Sequence, residues 1–129
     1  MKSVVVSLLA VKTLLVILNG VAAAASTLVT LPIMNPGNNN INCRIFNAGT
    51  TSQTVQVQAM AGDFNNTVLE DSGTITLLPG EGWWEPFPLG VPGNTFYCKF
   101  IVGGTPSSVR AAAYSINTSS GAVAVYPAQ

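Results

Sequence analysis

From residue 26 to residue 129, apolar and polar side chains alternate with a period of two. Clusters of glycine, proline, asparagine and serine break the alternation at intervals of about eight to twelve residues, the spacing of antiparallel strands in a sandwich or barrel. The clearest strand is Gln53 to Met60, with Val55, Val57 and Ala59 on one face and Thr54, Gln56 and Gln58 on the other. Thr95 to Val102 sets Phe96, Cys98, Phe100 and Val102 against Tyr97, Lys99 and Ile101. Ile41, Cys43 and Ile45 form a matching inward set on an earlier strand. Weaker strands are expected at 27–33, 73–78, 109–116 and 122–126. Turn residues fall at 36–40, 47–52, 62–67, 79–80, 92–94, 103–106 and 118–121. No convincing helical period follows residue 25. The pattern predicts an all-β, antiparallel sandwich of about seven strands.

The opening segment, MKSVVVSLLAVKTLLVILNGVAAAA, is of another kind. Lys2 precedes an apolar stretch, Asn19-Gly20 interrupts it, and Ala23 and Ala25 satisfy the small-x-small rule for cleavage before Ser26. Ala22 and Ala24 offer the same geometry one residue earlier. Lys12 splits the apolar run. A membrane span needs about 20 mostly apolar residues, and a central lysine costs about 2.5–3.5 kcal/mol, so a cleaved signal peptide is favoured over an anchor. The expected organisation is a signal peptide at 1–25 and one domain at 26–129, since 129 residues leave no room for two domains of roughly 150. The protein is then secreted or periplasmic and meets the membrane only during export.

Export changes how Cys43 and Cys98 are understood. An even count in an oxidising compartment implies a disulfide, with buried free thiols or a metal site as the alternatives. Charge removes whole classes of function. Five basic residues balance five acidic ones, and past residue 25 only Arg44, Lys99 and Arg110 stand against Asp63, Glu70, Asp71, Glu81 and Glu85. That leaves no clustered cationic face for nucleic acid. Histidine is absent, which takes away most acid–base triads and the commonest metal ligand.

The stretch CRIFNAGTTSQTVQVQ…GTITLLPGEGWWEPF resembles the extracellular immunoglobulin-like domains of bacteria, including the cell-adhesion-related group. The shared pattern is an Asn-x-Gly turn, an alternating Val-x-Val strand and a Leu-x-Pro-Gly-Glu turn; Asn47, Gly49, Val55, Val57, Leu78, Pro79, Gly80 and Glu81 match it. Leu78 directly precedes Pro79, without the usual spacer. The later YCKFIVGG…SSVRAAAYSI is similar to small secreted bacterial proteins of unassigned function. The resemblance covers about residues 41–116 and implies an immunoglobulin-like sandwich from a bacterium, with no catalytic residue. Two antibody hallmarks are missing: no tryptophan lies on the strand after Cys43, and Phe96 stands where a tyrosine would form the corner.

Catalysis finds little support. No Ser-x-x-Lys follows residue 25, and Lys99 has no serine at a telling spacing. The carboxylate pairs Glu70 with Asp71 and Glu81 with Glu85 fall in or beside expected turns, where acids are ordinarily solvated. Asp63, Asn65 and Asn66 lack the spacing of a dedicated Ca²⁺ loop. Asn65-Asn66-Thr67 and Asn117-Thr118-Ser119 fit the glycosylation pattern and mark surface loops. The expectation is no enzyme, no catalytic residue, no metal and no cofactor.

Binding fares better. Arg44 and Lys99 each follow a cysteine, so a bridge between facing sheets puts them on opposite outer faces. The same parity lines up Tyr97, Lys99 and Ile101 as a candidate contact stripe. Trp83 and Trp84 must point to opposite faces of an extended segment, which predicts one buried and one exposed for a partner. The expected function is a secreted, non-catalytic module that binds a protein or glycan. The alternative is a self-assembling fibre subunit, with 27–33 adding to a neighbour's sheet edge.

Overall fold

The computed structural model describes residues 24–34, 39–62, 65–86 and 95–129. The expected signal peptide up to residue 23, the turn at 92–94 and Asp63 lie outside these residues. Nine strands are described: β1 (Ser26–Val29), β2 (Ile33–Met34), β3 (Asn39–Asn47), β4 (Gln53–Ala61), β5 (Val68–Leu77), β6 (Gly82–Pro86), β7 (Thr95–Val102), β8 (Val109–Asn117) and β9 (Val123–Pro127). A 3-10 turn, Pro106–Ser108, leads into β8. All strand pairs are antiparallel and form two sheets. One has the order β1-β7-β4-β5, with β2 continuing along β7; the other has the order β6-β3-β8-β9.

Alternation decides which side chains meet between the sheets. Ile41, Cys43 and Ile45 from β3 and Val55, Val57 and Ala59 from β4 are buried with Phe96, Cys98, Phe100 and Val102 from β7. Ile33 from β2, Val109 and Ala113 from β8 and Leu77 from β5 complete this core. Cys43 and Cys98 are bonded across the two sheets, with Cα atoms 5.6 Å apart. Ala113 on β8 pairs with Cys43 and Ala59 on β4 with Cys98, both alanines fully buried, while Glu85 on the edge strand β6 flanks Cys43 on its other side. Two small residues thus leave the volume that a disulfide occupies between close-packed sheets.

The segment 27–33 is not one strand. β1 and β2 both lie along β7, and between them Thr30 bridges to Ala128. The backbones of Val29 and Gln129 exchange two hydrogen bonds of 3.0 Å, so the end of the chain closes the two sheets along this side. Thr30 explains the break: its N–H donates to the Cys98 carbonyl and its Oγ1 accepts the Cys98 N–H, both at 3.0 Å. The chain therefore leaves regular pairing there, and the strand count exceeds seven.

The second correction concerns β5. It begins at Val68, so Glu70 and Asp71 lie within a strand. The register with β4 shifts between Gln56 and Gln58, where the Ser72 Oγ accepts the Val57 N–H at 2.9 Å and Gly73 takes a left-handed φ of 63°. A bulge of this kind hides a strand from a reading based on strict alternation.

Candidate functional site

The outer face of the β6-β3-β8-β9 sheet is built by parity. Trp84 pairs with Arg44, Arg44 with Ala112, and Ala112 with Pro127, which sets one row across all four strands. The neighbouring rows carry Phe46 with Arg110, Asn42 with Tyr114 and Val125, and Ile116 with Val123. Four of these apolar side chains are largely open to solvent: Trp84 is 60% exposed, Val123 57%, Val125 52% and Phe46 43%. A single monomer rarely leaves so many large apolar groups together on one face without a use. A hollow of about 760 Å³ is lined by Arg44, Phe46, Trp84, Arg110, Ala112 and Tyr114, together with Trp83, Ile45 and further residues around them.

Arg44 organises the centre. Its partner on β8 is the small Ala112, so the guanidinium is free to lie over the diagonal Tyr114, with Cζ 4.7 Å from the ring centroid. Its Nε–H donates to the Asn42 Oδ1 at 2.7 Å. Stacking and that bond hold the planar group and leave its terminal amino groups as the remaining donors. Arg110 is fastened differently, donating from Nη1 to the Ser107 and Val109 carbonyls at 2.9 Å. No outward position described on this sheet carries a carboxylate.

The tryptophan pair follows parity but not the expected burial. Trp83 faces the same way as the buried Ile45, yet it is 42% exposed. The reason is that β6 is the edge strand of its sheet, so an inward side chain there lies at the rim of the core. Its Nε1–H donates to the Glu85 Oε2 at 3.2 Å, which keeps Glu85 on the same side. Glu81, in the turn before β6, accepts the Leu78 N–H at 2.9 Å. Both acids thus have hydrogen-bond partners within the fold.

Tyr97, Lys99 and Ile101 lie on the outer face of the other sheet, on β7, opposite Met60, Gln58 and Gln56. All three are half-buried. The Tyr97 hydroxyl donates to the Asn66 Oδ1 at 2.9 Å, and Met60 is buried at the opposite position. The structure thus separates this stripe from Trp84, and it places Arg44 and Lys99 on opposite outer faces.

Next to the stripe, Asp71 accepts from Gln58 Nε2 at 2.8 Å, from Gln56 Nε2 at 2.9 Å and from the Gly73 N–H at 2.8 Å. These donors, Gln58 first, hold the Asp71 carboxyl below the ordinary aspartate value. The Gln58 Oε1 is buried without a hydrogen-bond partner. The described residues contain no group of three or more side chains suited to a metal. They contain no helix long and apolar enough to cross a membrane.

Phe46 and Tyr114 escaped the sequence reading. Their signal was available: each lies an odd number of positions from a residue facing the core, Ile45 and Ala113 respectively. It needed the pairing of β3 with β8, which only the fold supplies. No family model, curated protein or solved structure matches the chain.

Proposed function

We propose that this protein is a secreted, non-catalytic sandwich that binds an extracellular partner through the outer face of β6-β3-β8-β9. The observation that carries the proposal is the exposed Trp84 and Phe46 beside a positioned Arg44 in one hollow, with Val123 and Val125 exposed further along the same face. Tryptophan and arginine are the side chains most enriched at energetic centres of interfaces. The disulfide fits an oxidising extracellular or periplasmic setting, and the sequence of the first 25 residues supports export.

An immunoglobulin-like assignment is supported by three features: pairing of β3 with β6, pairing of β4 with β7, and a bridge between β3 and β7. They correspond to the B–E and C–F pairs and the B–F disulfide of that fold. β8 departs from it, pairing with β3 in the opposite sheet and leaving β1 beside β7.

Arrays of extracellular glycans and proteins, probed with wild type, Trp84→Ala and Ile101→Ala, test the binding role. Signals that survive Ile101→Ala and vanish with Trp84→Ala support it; signals indifferent to Trp84 overturn it. Fibre assembly through residues 27–33 is the competing reading, and the paired backbones of Val29 and Gln129 speak against it. Size measurement of the exported protein separates the two, a ladder of oligomers favouring assembly and a monomer favouring the module.

A further inference from the structure

Resting on that binding face, we infer that its partner is an acidic polysaccharide whose sugar rings carry carboxylates, with Trp84 stacking on a ring and Arg44 receiving the carboxylate. Charge complementarity points this way. Two of the three basic residues past residue 25, Arg44 and Arg110, sit on this one face, while no outward position described there is acidic. The same stretch of chain holds five acids, so the separation runs against its overall balance. An arginine clamped by Asn42 and Tyr114 presents its two terminal amino groups as a fork, the geometry that matches a carboxylate through two parallel hydrogen bonds.

Sheet geometry selects the class of macromolecule. Backbone donors and acceptors of a sheet lie in its plane, so an outer face offers a ligand only side chains. Extended peptides are captured chiefly by adding to a strand edge, where main-chain bonds provide the affinity. What this face supplies is an exposed indole with an arginine directly across the strand pair, about 5 Å away between Cβ atoms. That spacing suits a single sugar ring whose apolar side lies on Trp84 and whose carboxylate reaches Arg44. The small Ala112 and Gly82 keep the surface beside them open. A second copy of the chain is a poor occupant, because a two-fold contact would bring together two faces that carry arginines and no described outward acid to pair with them.

Calorimetric titration of the exported protein with oligogalacturonate and with alginate oligomers tests the inference. Methyl-esterified oligogalacturonate, a sulfated dextran oligomer and polyglutamate serve as comparisons. The expected result is binding to at least one of the two uronate oligomers that weakens with added salt, falls at least tenfold with Trp84→Ala and with Arg44→Gln, and persists in Lys99→Gln. Loss of binding on esterification is also expected. Binding to the ester as tightly as to the acid, binding confined to the sulfated oligomer or to polyglutamate, or no binding to either uronate would each overturn it. Those outcomes leave the binding face itself to be judged by the arrays. Circular dichroism of Trp84→Ala and Arg44→Gln establishes that a loss is not a loss of fold, which their exposed positions predict.

Discussion

Trp84 and Arg44 are direct partners across β6 and β3, on a face where Arg44 also covers Tyr114 at 4.7 Å. An exposed indole beside a held guanidinium is what the proposed binding role asks of this face.

The two tryptophans should differ in their effect on stability. Trp83→Ala should cost about 1–2 kcal/mol, below the usual 3–5 kcal/mol for a fully buried aromatic ring, because Trp83 is only partly covered. Trp84→Ala should stay within about 0.5 kcal/mol of wild type. Denaturant melts of both variants check this, and large, equal losses would contradict the exposure of Trp84.

The bridge between Cys43 and Cys98 closes a long loop, the two residues being 55 apart in sequence. Chain entropy assigns about 4 kcal/mol to such a closure, a large share of the roughly 5–15 kcal/mol typical of a domain. Urea midpoints with and without reductant should therefore differ widely. Coincident midpoints, with reduction verified by mass, would contradict this role.

Asn47 is fully buried and donates from Nδ2 to the Thr51 and Leu77 carbonyls at 2.9 and 3.0 Å, while its Oδ1 accepts the Gly49 N–H at 3.0 Å. Asn47→Ala leaves the Leu77 carbonyl without that donor and should destabilise the domain by about 2–3 kcal/mol. Thermal or chemical unfolding measures the loss; a change below about 0.5 kcal/mol would show that the turn after β3 does not need the side chain.

Asp71 gives the fold an acid-sensitive contact. Its folded-state carboxyl titrates below the ordinary aspartate value, so the stabilisation is fully present above that value, about pH 4, and is lost as pH falls through the lower folded value. Asp71→Asn should flatten the stability profile below about pH 4. The effect is small because the group is exposed. Unfolding midpoints of both proteins across acid pH measure it, and parallel profiles would contradict it.

Much of this architecture was legible in the sequence because parity is a strict rule. The inward sets on β3, β4 and β7 follow from alternation alone, and the opposed placement of Arg44 and Lys99 follows from alternation joined to a bridge between facing sheets. What alternation misses is where it is broken or where sheets end. The bulge at Gln56–Gln58 concealed the first half of β5, and Thr30 divided an expected strand in two. Trp83 was expected to be buried or open by facing direction only, whereas its position on an edge strand decided the matter. Tyr114 and Phe46 joined the site through a register between β3 and β8 that local pattern does not encode.

The most direct measurement of the central claim is partner binding by paired variants of the two outer faces, read on the arrays as the change in affinity relative to wild type. Trp84→Ala on the β6-β3-β8-β9 face should reduce it at least tenfold, the effect expected of a hot-spot residue. Ile101→Ala on the opposite face should leave it unchanged. The reverse result, binding kept by Trp84→Ala and lost by Ile101→Ala, would place the contact surface on the other sheet and contradict the account.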